Sequence, residues 1–207
     1  MDNELRHYGV KGMKWGVRKD KTVYGDTDNS VIKRGTKLGR VSLTEEDPTY
    51  DNKKYVSYTK SDHKKWEQQL GRGYRLSGRD TYNVMYETTK DIKVASVRQS
   101  GKKFVDEFLN SEKANQTIVD TDKALSLLGQ NPNTVYDERN KTINANKMAA
   151  LNMAAQTETG KQFVQSLLND GYGAVADYHG RNTSYDPLII LDPDKKLKKV
   201  SVSRTRY

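Results

Sequence analysis

Two rhythms run along this chain. In "TYNVMYETTKDIKVASV" Tyr82, Val84 and Tyr86 alternate with polar neighbours, and Ile92 and Val94 alternate again. A period of two places side chains on one face of a strand. Shorter β-prone runs precede it: "SVIKRGT" and "LGRVSL", joined through Gly35 and Gly39, then "KYVSYT", with acidic "TEEDPTYDNKK" between them as a surface loop. The helical rhythm takes over in the middle. "SDHKKWEQQLGRG" predicts a helix capped by Ser61 or Asp62, with Trp66 and Leu70 one turn apart and Gly71 as its stop. Phe104/Val105 and Phe108/Leu109 pair at the same spacing. Asp120 or Thr121 is the expected cap of the next helix and Gly129 its end, after which "NPNT" interrupts and "KTINANKMAALNMAAQ" resumes by propensity. Thr159 and Gln162 have capping-box spacing ahead of the stripe Phe163/Val164 and Leu167/Leu168, which Gly171 ends. "GAVAD", "PLIIL" and "KKVSVS" read as closing strands, and "PLIIL", with no polar alternation, as a buried central one.

Strands at both chain ends with helices between them predict an α+β fold: small mixed or antiparallel sheets and a helical middle section. We divide the chain into an irregular segment at 1–21, one domain at 22–203, and a basic tail at 204–207. The 207 residues contain no cysteine, which removes disulfides and thiolate chemistry, and His7, His63 and His179 are too scattered for metal spacing. No apolar run approaches the ~20 residues that span a bilayer, so no membrane role is expected. The net charge of +9 is uneven: residues 1–21 carry +3, residues 194–207 carry +5, and 22–193 only +1. Such ends predict non-specific contact with polyanions such as nucleic acid, although neither matches a nucleic-acid-binding module.

Four places can carry chemistry. Arg34 directly follows a β run beside Gly35, where a guanidinium fork suits a phosphate or carboxylate. Ser57 and Thr59 share one face of a strand and can orient an amide or ribose. Asp186 stands at the mouth of "PLIIL", where desolvation makes an unused carboxylate costly. Asp177 and His179 follow a short strand, though spacing alone does not make them partners. Read singly, each is also an ordinary turn, edge or loop residue.

The stretch "HYGVKGMKWGVRK" (residues 7–19) resembles a short signature carried by many bacteriophage proteins, where it precedes otherwise unrelated partners. The resemblance implies a docking or packaging segment of a virion-associated protein. Tyr8, Lys14, Trp15 and Arg18 are its expected contacts with capsid or other virion proteins, and the expected locations are the virion and, during assembly, the host cytoplasm. Residues 30–203 more loosely resemble ADP-ribosyltransferase-like domains. In that family an arginine ends the first strand, a Ser-Thr-Ser element lies on the second, and Glu-x-Glu precedes a late strand. Here Arg34 matches the first, Ser57-Tyr58-Thr59 the second with its middle residue changed, and Ser184-Tyr185-Asp186 the third, with Asp at the catalytic position and Ser at the accessory one.

The resemblance implies NAD as cofactor, bound by Arg34 and Thr59, with Asp186 and Ser57 as catalytic residues. Asp186 would stabilise the oxocarbenium-like charge as nicotinamide leaves. Asp is one methylene short of Glu, and a misplacement of ~1 Å costs on the order of 10²-fold in rate. The expectation is therefore a virion-associated protein with a weakly active or inactive domain. The alternative is an active NAD-dependent transferase or glycohydrolase effector.

Overall fold

Strands β8 (Ala174–Ala176) and β9 (Leu188–Leu191) are apolar on both faces and buried at every position. They lie inside a five-stranded sheet of order β1-β5-β8-β9-β3, with β1 at Ser30–Ile32, β5 at Ile92–Ser96 and β3 at Lys53–Val56. This computed structural model describes residues 30–57, 80–131, 134–137, 139–177 and 188–206. The β5–β8 pair is parallel and the rest of the sheet antiparallel. Alternation explains the missing polar positions. Ala174, Ala176, Leu188 and Ile190 enter one apolar cluster, whereas Val175, Ile189 and Leu191 enter another on the opposite face. The strand run "LIIL" is thus central, as its sequence predicts.

The first cluster is covered by a second, antiparallel sheet of order β10-β4-β2: β2 Lys37–Ser42, β4 Asp80–Thr88 and β10 Leu197–Arg206. Leu38, Val84 and Tyr86 supply its inner face. Residues 204–206, assigned to a tail on charge alone, instead prolong the β10 ladder, with Arg204 opposite Tyr82 and Arg206 opposite Asp80. The backbone pairing registers them as strand, and Arg204 also forms an ion pair with Asp80.

The second cluster is covered by helices: α1 Val97–Phe104, α2 Ala114–Leu127, α3 Ala145–Ala154 and α4 Glu158–Asn169. A π turn at Val105–Leu109 follows α1. Phe104 and Phe108 stack with centroids 5.4 Å apart, and both meet Phe163 of α4 edge-on at 5.0 and 5.6 Å, a favoured aromatic geometry. A short hairpin, β6 Tyr136–Asp137 with β7 Thr142–Ile143, interrupts the helical section. The architecture is α+β, and strands from both chain ends share both sheets instead of forming separate ones.

The helix ends differ in detail from expectation. Gly129 and Gly171 do close α2 and α4, both at positive φ (59° and 81°). Asp120 and Thr121 do not cap α2, which starts at Ala114; both are buried mid-helix. Thr157, not Thr159, caps α4, accepting from the Gly160 N–H at 3.0 Å. The Thr159 hydroxyl instead donates to Asp120. The helix expected at residues 61–71 lies outside the described residues.

Candidate functional site

A backbone bridge joins the two sheets. Gly39 of β2 and Ser57, just beyond β3, exchange both backbone hydrogen bonds, at 2.9 and 2.7 Å. Ionisable side chains collect beside this seam. Arg40 pairs in register with Val84, a residue of the inter-sheet core, so its side chain starts from the inner face. Lys54 pairs with Ile190 and enters from the other sheet. Asp47 comes from the loop between β2 and β3, with left-handed backbone (φ 45°), which Asp tolerates better than most residues.

Asp47 is the hub. Its carboxylate accepts from Arg40 Nε at 2.7 Å, Lys54 Nζ at 3.1 Å and the Tyr86 hydroxyl at 2.5 Å. Lys54 also donates to the Asp47 carbonyl (2.7 Å) and the Tyr86 oxygen (3.0 Å) and lies over the Tyr86 ring. Burial pushes the Asp47 carboxyl up. The Arg40 guanidinium, hydrogen bonds from Tyr86 and Arg40, and the Lys54 ammonium outweigh it, so the group sits below the ordinary carboxylate range. Desolvation lowers the Lys54 ammonium, and Asp47 offsets this only in part. Desolvation, then the bond to Asp47, pushes the Tyr86 hydroxyl far up. Asp47 is therefore an ionised anchor and not a free base. Lys54 has all three donors engaged and is no nucleophile in this state. From β10, Lys199 donates to the Glu46 carbonyl at 2.6 Å and ties the loop down. A groove of ≈ 430 Å³ opens along Asp47, Lys54, Tyr86, Asp194 and Lys199.

A larger groove of ≈ 840 Å³ lies between α2 and the β6–β7 hairpin, lined by Ile118, Leu125, Tyr136 and Ile143 with Asp122 and Asp137. It gathers no comparable set of interacting charges, so size and chemistry point to different places, and the chemistry favours the seam. Among the described residues no three His, Cys, Asp or Glu side chains group as metal ligands. Likewise no described helix is long and apolar enough to cross a membrane.

The sequence candidates distribute unevenly. Arg34 lies on an exposed turn between β1 and β2, its N–H bonded to Asp91 at 2.9 Å. The next residue, Gly35, bonds Thr88, whereas Ser57 sits across from Gly39, itself opposite Met85. Met85 to Thr88 is roughly 10 Å of strand, so the turn of Arg34 and Ser57 are set apart along β4. Ser57 is buried at the seam, and Asp177 is buried beyond β8. Thr59, His179, Ser184, Asp186, Tyr8, Lys14, Trp15 and Arg18 lie outside the described residues. Arg40, Asp47, Lys54 and Tyr86 carry no local sequence sign of the cluster they form. Arg40 shares the stretch "VIKRGTKLGR" with Arg34, and only the bridge between its neighbour Gly39 and Ser57 sets it apart.

Residues 1–22 match the model of a family described as being of unknown function (DUF7211). No curated protein matches the chain. No solved structure matches it.

Proposed function

We propose that this chain is a bacteriophage virion-associated protein, in which residues 1–21 dock to capsid or other virion proteins and the following domain is ADP-ribosyltransferase-like with little or no activity. The observation that carries the reading is "HYGVKGMKWGVRK", a dense set of Trp, Tyr, Gly and basic residues inside a family match that stops at residue 22. A segment matched without the domain behind it is what a transferable docking element looks like. Trp15 and Tyr8 are suited as aromatic anchors, and the adjacent glycines allow close backbone approach. For the domain, two sheets meeting at a serine beside a fixed arginine favour the transferase resemblance.

Removing residues 1–21 should leave the domain's cooperative melting unchanged and abolish incorporation into particles assembled in the host. Undiminished incorporation defeats the docking reading. Nicotinamide release from NAD, compared between wild type and Asp186→Glu, tests the domain. A rise in the Glu variant supports a transferase site, and background rates in both leave a scaffold without chemistry.

A further inference from the structure

Arg40 is the one member of the Asp47 cluster with donors to spare. Two of the five N–H groups of a guanidinium are engaged, Nε with Asp47 and Nη1 with the Tyr55 carbonyl at 2.9 Å. The other three have no acceptor among the described residues. Its side chain is 22% exposed, against 2% for Asp47, which fixes it, so the fork is held from the buried side and open on the other. Asp194, across the same groove, acts on Lys54 together with Asp47, so the open donors of Arg40 and not a surplus of charge are what the cluster offers an anion. Arg34 lacks the fixing contacts: its turn is exposed and no hydrogen bond to a described residue holds its guanidinium.

We infer that Arg40, not Arg34, is the anion-binding arginine of this protein, a preorganised fork for the phosphate oxygens of a diphosphate-bearing ligand. The anion site stands on the geometry; naming the ligand a dinucleotide such as NAD rests on the reading above. Holding the fork in place by Asp47 and a backbone carbonyl removes the ordering cost that a free surface arginine meets on binding. Planar two-point recognition of phosphate then favours guanidinium over ammonium.

The test is titration calorimetry of the full chain with inorganic pyrophosphate and, separately, with NAD. Arg40→Lys keeps the charge and loses the fork, so affinity for pyrophosphate should fall on the order of 10- to 100-fold, while Arg34→Ala should leave it within about twofold. Because Arg40→Lys also disturbs a buried network, arginine-selective labelling with phenylglyoxal on the wild-type protein is the second measurement. Saturating pyrophosphate should protect Arg40 and not Arg34, read by peptide mass spectrometry. Unchanged affinity in Arg40→Lys, loss in Arg34→Ala, no protection of Arg40, or no pyrophosphate binding at all would each overturn the inference. Arg40-dependent pyrophosphate binding without NAD binding sustains it and sinks the NAD reading. NAD turnover that depends on Arg34 does the reverse.

Discussion

Replacing Asp120 with Ala should be among the costliest changes to the helical layer. Asp120 projects from the middle of α2 to the start of α4. Its Oδ2 accepts from the Thr159 N–H at 2.9 Å and the Thr159 hydroxyl at 2.5 Å, and Oδ1 from Gln116 at 2.8 Å. Thr159 is the second residue of α4, so its N–H is one of the helix's unpaired donors. Thr157 serves Gly160, leaving Thr159 to a carboxylate from another helix. Gln116 is exposed and can turn to water, whereas Thr159 is buried. Stranding that N–H costs about 1–3 kcal/mol, and losing a carboxylate at a helix N-terminus about 0.3–1 kcal/mol more. A loss near 3 kcal/mol corresponds to a drop of about 6–12 °C in Tm at this chain length. Burial raises the Asp120 carboxyl, but the two bonds from Thr159, then Gln116 and Lys123, bring it below its ordinary value. A folded pKa below the unfolded one gives stability that is full above the unfolded value, near ~3.9, and is lost as pH falls through the folded value. The penalty of Asp120→Ala, read by circular-dichroism melting, should thus be full at neutral pH and shrink below about pH 4. A drop under about 2 °C at neutral pH, or a penalty that does not change on acidification, would refute the capping role.

Two further outcomes are expected. Gly160→Ala would bring a Cβ to 2.0 Å from the Asn152 carbonyl oxygen, so α3 and α4 must separate; urea unfolding should show a loss of about 1–3 kcal/mol, and an unchanged midpoint would mean the helices part freely. Ile189→Ala opens a cavity on the helix-facing side of the central sheet, where the residue is fully buried; a loss of about 2–5 kcal/mol is expected from the same measurement, and less than about 1 kcal/mol would place that side chain outside the packed core.

What could be read from the sequence follows from how far each decision reaches. Uninterrupted apolarity in "LIIL" reports burial on two faces, and Gly129 and Gly171 end helices through their own backbone, so local pattern suffices. Lys53 and Lys54 show where it fails. Adjacent lysines in a strand look solvated, yet both are buried, Lys53 donating to the Met153 carbonyl and Lys54 to Asp47. Asp47 looked like loop surface because Tyr86, which receives it, is distant in sequence. Asp120 has the chemistry of a helix cap, yet it sits inside α2 and serves the start of α4, a choice only tertiary packing makes. Arg34 and Arg40 illustrate the same limit: both stand next to a glycine in β-prone sequence, and only the β2–β3 pairing distinguishes them.

The sheet order has a consequence for how the chain folds as it is made. In the ladders Val56 pairs with Leu188, and Asp80 with Arg206. Neither β3 nor β4 can complete its pairing until residues 188–206 have left the ribosome. The helices α1 to α4 are built from local contacts and can form earlier, but long-range strand pairing carries a loop-closure cost and slows folding. A chain truncated before residue 188 would leave β3 without its ladder partner and β8, still paired with β5, as an open apolar edge, the kind of surface that recruits other chains. Termination before residue 188 should therefore yield aggregates and not a smaller folded domain, so it is the pairing of residues 188–206 that closes the fold.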